Sequence, residues 1–198
     1  MAGRPREFDR DEALRRAQAA FWERGYEGTS MSDLVAALGL ASSRIYAAFG
    51  SKEALFREAV ELYEREEGGF ADRALAEEST AREALRRTLR EAATVYTRPG
   101  KPLGCMVVSA ATNCSAANDA VLRWLEQHRV KRTKSIIGLV KTAVAQRELR
   151  PDTDAQALGD TFATVLHGLS VQARDGVPRK RLLALVDTTM SLFDGQRA

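Results

Sequence analysis

The sequence is poor in the residues that mark fibrous, disulfide-bonded and membrane proteins. Of its 198 residues, 14 are glycine and 5 are proline, which excludes collagen-like and low-complexity chains. Two cysteines, Cys105 and Cys114, are too few for a disulfide framework. Unbroken apolar runs such as Cys105–Val108 are far shorter than the roughly 20 residues that a membrane span needs. Since residues 1–10 are also polar and unlike a secretory signal, we expect a cytoplasmic protein that makes no contact with a membrane.

Basic residues are unevenly distributed along a chain whose net charge is +3. Residues 79–151 hold 14 Lys or Arg against 5 Asp or Glu, a net charge of +9, whereas residues 1–60 hold 9 of each. Charge alone therefore predicts that the middle of the chain binds nucleic acid. Against that, we interpret the cations of the longest predicted helix as a solvated face: Arg129, Lys131, Arg132, Lys134 and Lys141.

Apolar residues recur every three or four positions through nearly the whole chain, which predicts an all-α fold of about nine helices. The run Gly104–Ala111 fits a strand by propensity, but its helical context favours a helix. Pro178 is expected in the first turn of the last helix. The first helix is expected to begin near Asp9, and the predicted helix caps are Ser30 with Asp33, Ser51, Thr80 with Glu83, and Thr153 with Gln156.

Two short predicted helices joined by the turn Leu38–Ala41 fit a helix-turn-helix. On the second of them Ile45 and Phe49, four residues apart, face the core, and the exposed start carries Arg44 after two serines. Short polar side chains allow a helix to lie deep in the major groove of DNA, and an arginine can donate two hydrogen bonds to guanine. From the spacing alone, a solvated helix start is an equal alternative.

The first 60 residues resemble the DNA-binding module of TetR/AcrR-type repressors. The resemblance covers residues 3–60 and is carried by Gly3–Arg6, Phe21–Met31, Leu40–Tyr46 and Phe49–Phe56. It implies a three-helix DNA-binding domain at residues 1–50, with a basic arm at residues 1–8. Residues 51–198 then form a helical bundle for ligand binding and dimerisation. A repressor of this kind binds double-stranded operator DNA as a homodimer, through a palindromic site.

The resemblance implies DNA contacts for eight residues: Arg4, Arg6, Thr29, Ser42, Ser43, Arg44, Tyr46 and Lys52. The positions at 42–44 match the base-reading face, and Tyr46 matches a tyrosine that touches the DNA backbone. Thr29 and Lys52 match positions that contact phosphate, and the two arginines of the arm resemble residues that reach the minor groove. Ala41 and Ala47–Ala48 depart from the family pattern, so that Arg44 is expected to carry more of the specificity.

The C-terminal part is expected to bind a small, largely apolar effector that releases the protein from DNA, without a metal ion or cofactor. The candidate pocket residues, which are also ordinary core residues, are Tyr96, Met106, Trp124, His128 and Phe162. The sequence lacks a Gly-rich phosphate loop, a nucleophile elbow and a paired His/carboxylate motif, which argues against an enzyme. Three alternatives stay open: an activator, a regulator that senses redox state or electrophiles through Cys105, and a helical bundle without DNA function.

The last two predicted helices, about Asp154–Arg174 and Pro178–Phe193, are expected to build the dimer. The pair His167–Gly168 offers a small spot for close approach, and Leu169 and Val186 are candidates for the seam. Cys105 is expected to be an inert buried thiol that tolerates replacement by serine, because apolar neighbours raise the pKa of a thiol and lower its reactivity.

Overall fold

The computed structural model describes residues 8–110 and 118–198 of the chain. Within them the helices are α1 (Arg10–Arg24), α2 (Met31–Leu38), α3 (Ser42–Phe49), α4 (Lys52–Arg65), α5 (Phe70–Glu77), α6 (Ala81–Val95), α7 (Met106–Ala110), α8 (Asp119–Ala145), α9 (Ala155–Arg174) and α10 (Arg179–Asp194). The predicted all-α fold is confirmed, and the helix beyond the expected nine is α5. No helix of the described ranges is both long and apolar enough to cross a membrane.

The N-terminal helices begin at the residues that their capping signals indicate. The Asp9 carboxylate accepts hydrogen bonds from the backbone N–H groups of Asp11 and Glu12. Ser30 and Asp33 cap α2 reciprocally, and the Ser51 hydroxyl accepts from the N–H of Ala54. Each such cap stabilises its helix by about 1 kcal/mol. The start of the helix-turn-helix is therefore specified by local hydrogen bonds.

Later boundaries differ from the predicted ones at α5, α9 and α10. The cap of α9 is Asp154, whose carboxylate accepts from the N–H of Ala157, whereas the Gln156 amide bonds to Asp160. Pro178 lies just before α10 instead of in its first turn. Helix α5 was not predicted; it begins directly after Gly68–Gly69, and no side chain caps its first turn. The short helix α7, by contrast, confirms the helical interpretation of the apolar run that begins at Gly104.

Buried apolar residues form two clusters. The first core joins α1–α4 to residues from later in the chain: Met106, Val107, Ala110, Val121 and Leu125. The second core lies among α5, α6, α9, α10 and the C-terminal half of α8. Because the first core includes residues of α7 and α8, the helix-turn-helix does not close its hydrophobic interior with its own residues alone.

The segment Leu103–Cys105 ties the end of α1 to α9. The indole N–H of Trp22 donates to the Gly104 carbonyl at 3.0 Å, and the Cys105 N–H donates to the Ser170 hydroxyl at 2.7 Å. The Arg174 guanidinium, at the end of α9, donates to the carbonyls of Glu23 at 3.1 Å and Trp22 at 3.3 Å. Hydrogen bonds to the last carbonyls of a helix also place this positive charge at the favourable end of the α1 dipole.

The side of α9 and α10 that is exposed does not carry the two residues expected in the dimer seam. Leu169 and Val186 are buried in the second core, because they lie on the faces that the two helices turn toward the rest of the subunit. A charge at either position would therefore unfold the core instead of testing the seam. The outward side carries small and apolar residues: Ala157, Thr164, Gly168 and Val171 on α9, and Leu185 and Leu192 on α10.

Candidate DNA interface and effector cavity

Helices α2 and α3 form the predicted helix-turn-helix. Gly39, with φ of +67°, ends α2 in the left-handed conformation that favours glycine. Leu40 then enters the core, and Ile45 and Phe49 bury one side of α3 against it. Packing of this side against α1, α2 and α4 leaves the opposite side of α3 at the protein surface.

The outward side of α3 brings together most of the predicted base-reading residues. Ser42, Ser43 and Arg44 are exposed in its first turn, and Tyr46, 45% exposed, lies beside them. Among the residues that the structure describes, none forms a hydrogen bond or ion pair with the Arg44 side chain. The guanidinium is thus available to a partner, and the small serines that precede it leave room for the edge of a base pair.

The four predicted phosphate or arm positions outside α3 have different outcomes. Lys52 is the first residue of α4, with its ammonium 4.4 Å from the centre of the Tyr26 ring; a helix N-terminus attracts anions. Thr29 is 0% exposed, and its hydroxyl donates to the Gly25 carbonyl at 2.7 Å. Its side chain therefore supports the turn before α2, and the phosphate contact at this position stays a prediction. Arg4 and Arg6 lie outside the described residues.

Arg10 is a positioning residue that sequence reasoning missed. Its guanidinium lies 4.4 Å from the centre of the Phe49 ring, at the end of α3, and pairs with Glu58 of α4 at 2.8 Å. One exposed ion pair contributes little stability by itself. Arg10, however, contacts α3 at Phe49 and α4 at Glu58, and so helps to fix the direction of α3. No spacing signal relates residues 10, 49 and 58, so only the packed structure reveals the contact.

A cavity of about 50 Å³ lies where α4, α5, α7, α8 and α9 meet. Two of the five predicted pocket residues, Tyr96 and His128, line it. The His128 Nδ1 atom lies 2.8 Å from a carboxylate oxygen of Glu64, which also lines the cavity. The predicted closeness of His128 and Trp124 is confirmed, with their ring centres 4.3 Å apart.

The other three predicted pocket residues belong to the packing around the cavity. Met106 is buried in the first core, and Phe162 is buried in the second, edge-on to Phe193 with ring centres 6.5 Å apart. Trp124 packs at the margin of the first core, with the Arg57 guanidinium 5.0 Å from its ring centre. These three side chains pack in or against the two cores and do not line this cavity, and their contact with an effector stays a prediction.

Two of the five cations assigned to a solvated face instead line the cavity. Arg132 pairs with Asp72 of α5, with N–O distances of 2.6 and 3.0 Å, and this hydrogen bonding lowers the pKa of Asp72. Arg129 lines the same wall together with His167 of α9. Burial, followed by the nearby positive charges of Arg129 and Arg132, lowers the pKa of His167. The remaining three lysines of that set are exposed, as expected.

Cys105 is half-buried at the cavity wall, and its surroundings are more polar than its sequence neighbours indicate. The hydroxyls of Tyr63 and Tyr96 face its thiol, and burial, followed by this thiol, raises the pKa of both tyrosines. The expected purely apolar setting is therefore corrected, because residues distant in the sequence supply the polar groups. Cys114 lies outside the described residues.

Two family descriptions match the chain. Residues 13–59 match "Bacterial regulatory proteins, tetR family", and residues 81–177 match "Tetracyclin repressor-like, C-terminal domain". The HTH-type transcriptional repressor ComR of Escherichia coli is 30% identical over 192 residues, which is 96% of this chain and 91% of ComR. The HTH-type transcriptional repressor BdcR of the same organism is 30% identical over 185 residues, 93% of this chain and 88% of BdcR.

Solved structures with the same fold include one bound to DNA. A cysteine-substituted variant of the TetR family transcriptional regulator CifR, complexed with a 26-base-pair operator, is 42% identical with a TM-score of 0.89, and the match covers 96% of this chain and 98% of that one. A TetR transcriptional regulator from Chloroflexus aurantiacus is 26% identical with a TM-score of 0.81, over 94% of each chain. The similarity therefore extends through both matched regions.

Proposed function

Because this chain belongs to the TetR family of bacterial regulatory proteins, and is thus a transcriptional regulator and not an enzyme, we propose that it is a dimeric repressor of the cytoplasm. It binds a palindromic operator through α3 of each subunit and leaves the operator when a small effector fills the cavity. Residues 1–50 supply the DNA contacts, and residues 51–198 supply the effector site and the dimer seam.

One observation carries this proposal: α3 buries Ile45 and Phe49 on one side and exposes three polar residues and Tyr46 on the other. An exposed arginine beside small side chains suits contact with the edge of a base pair. The similar CifR variant, at 42% identity, is complexed with operator DNA, which supports operator binding by this chain. A gel-shift assay with the DNA upstream of the protein's own gene tests the proposal, and the absence of any shift resistant to nonspecific competitor DNA would overturn it.

Substitutions of Arg44 and Lys52 are expected to weaken DNA binding in different ways. If Arg44 donates to guanine, Arg44→Ala costs roughly 1–3 kcal/mol of operator binding and relaxes preference at one position in each half-site. Lys52→Ala instead weakens all sequences alike and reduces the salt dependence of binding. Affinities for a set of single-base operator variants at several salt concentrations separate the two effects. Equal, sequence-independent losses would contradict base reading by Arg44.

Saturating effector is expected to lower operator affinity by roughly 5–150-fold, the range of a typical coupling of ~1–3 kcal/mol between two sites. The two α3 helices can read one operator only when they lie about one helical turn of DNA apart, or a multiple of it. Since α4 lines the cavity and also packs against α1 and α3, its displacement changes that separation. By linkage, operator DNA must lower effector affinity by the same factor, and titration calorimetry with and without DNA measures both.

A further inference from the structure

The hydroxyl of Tyr63 is a buried polar group beside the cavity: it faces the Cys105 thiol and the Met106 backbone, but no described residue partners it at hydrogen-bond geometry. Tyr63 is 1% exposed, and its ring packs edge-on against Trp22 with centres 4.8 Å apart. Buried hydroxyls in native proteins have partners in all but a few cases, so each exception calls for an explanation. A ligand that accepts a hydrogen bond in the cavity explains this one.

The other polar groups of the wall also favour an acceptor of negative charge. Tyr96, Arg129 and Arg132 are hydrogen-bond donors, and the one carboxylate among the described lining residues, Glu64, is engaged with His128. Asp72 pairs with Arg132, and burial, followed by the positive charges of the two arginines, lowers the pKa of His167. Arg129 and Arg132 thus place two guanidinium groups on the side of the cavity that His167 also lines.

The size of the cavity limits the ligand. One water needs at least ~10–15 Å³ of such volume, so that about 50 Å³ holds roughly three to five atoms of that size. The apolar part of the wall, Phe70, Val107 and Leu166, suits a short hydrocarbon tail. A large, wholly apolar effector fits neither the volume nor the donors.

We propose that this cavity binds a small aliphatic monocarboxylate, whose carboxylate accepts a hydrogen bond from the Tyr63 hydroxyl and lies on the side of Arg129, Arg132 and His167. The inference rests on the proposed function for its regulatory meaning, and it replaces the expectation of a largely apolar effector by a short acid. Binding at the cavity does not itself require DNA, so the two proposals can fail separately.

The test compares acetate and propionate with their primary amides, which match them in shape but carry no charge. We expect the acids, and not the amides, to raise the melting temperature of the free protein and to release it from operator DNA. Hydrogen bonds to a charged group are strong enough that Tyr63→Phe should weaken acid binding at least about tenfold. Amides that bind as well as the acids would overturn the proposal.

Thr88→Val is the matched control, since the Thr88 hydroxyl is also buried without a partner among the described residues but lies outside the cavity lining. It should bind the acids as the unsubstituted protein does. A second readout needs no substitution: in nuclear magnetic resonance titrations, bound acid should raise the pKa of His167, because the anion offsets the two arginines. An unmoved His167 titration at saturating acid would contradict the assigned position of the carboxylate.

Two further outcomes separate the alternatives. If only thiol-reactive compounds bind, and Cys105→Ser abolishes their effect, the cavity is an electrophile sensor and the carboxylate proposal is wrong. If acids bind the free protein with the expected Tyr63 dependence but no specific operator complex ever forms, the inference about the cavity stands and the proposed repressor function fails. Acid binding with a specific operator complex that the acid dissolves supports both.

Discussion

Val171→Glu is expected to give a folded protein that is monomeric and no longer binds its operator. Val171 is 46% exposed on the outward side of α9, next to Gly168, whose added Cβ would meet nothing within 4 Å. A second subunit on this side would bury the introduced carboxylate without a partner, at a cost of about 3–5 kcal/mol. The dimer dissociation constant should therefore rise roughly a hundredfold or more.

Operator affinity should fall with the dimer to the nonspecific range, roughly a thousandfold weaker or more, because one subunit reads only one half-site. The matched control is Val130→Glu: the same residue type, 42% exposed, on α8. It should leave both the dimer and operator binding intact. Sedimentation velocity and gel shift measure the two properties, and a dimeric, operator-binding Val171→Glu protein would exclude the outward side of α9 as the seam.

Gly104→Ala should destabilise the protein by about 3 kcal/mol. Gly104 has φ of +77°, a conformation that costs other residues about 1–2 kcal/mol. A Cβ there would also lie 2.7 Å from the Ser170 carbonyl oxygen and 2.8 Å from the Arg174 side chain, and such overpacking costs ~1–3 kcal/mol more. Urea unfolding with a common slope for both proteins measures the loss.

Gly100→Ala is the control for the backbone part of this cost. Gly100 has φ of +74°, and an added Cβ would meet no described atom within 4 Å. Its loss should be about 1 kcal/mol. Equal losses at the two glycines would show that α9 moves away from the Leu103–Cys105 segment without cost. The contact between that segment and α9 would then not be the rigid link that its hydrogen bonds indicate.

The helix-turn-helix could be predicted because its determinants are local. Ser30 and Asp33 are three residues apart, Gly39 ends α2 by its own conformational freedom, and Ile45 and Phe49 share one side of α3 by helical spacing. Thr29 shows the limit of that reasoning. Its place in the family pattern indicates a phosphate contact, yet its burial depends on how the preceding turn packs.

The cavity could not be predicted because it is built from residues far apart in the sequence. Lys131 and Arg132 are neighbours in sequence, but the first is exposed and the second meets Asp72 of α5, 60 residues away. Helical spacing shows which residues share a side of α8, and not which helix that side meets. Since α5 itself was not predicted, its partner on α8 was interpreted as one more solvated cation.

The first core has a consequence for evolution and engineering by exchange of parts. The DNA-binding domain of a regulator is commonly treated as exchangeable between different effector-binding domains, with the boundary here near residue 50. Here Met106, Val107 and Val121 complete the hydrophobic core of the DNA-binding domain, and the Trp22 indole donates to the Gly104 carbonyl. A DNA-binding domain that is moved to another regulator by a cut near residue 50 would leave those apolar surfaces exposed to water on both domains. Successful recombination must therefore exchange α7 and the start of α8 together with α1–α4, as one inherited unit that is discontinuous in sequence.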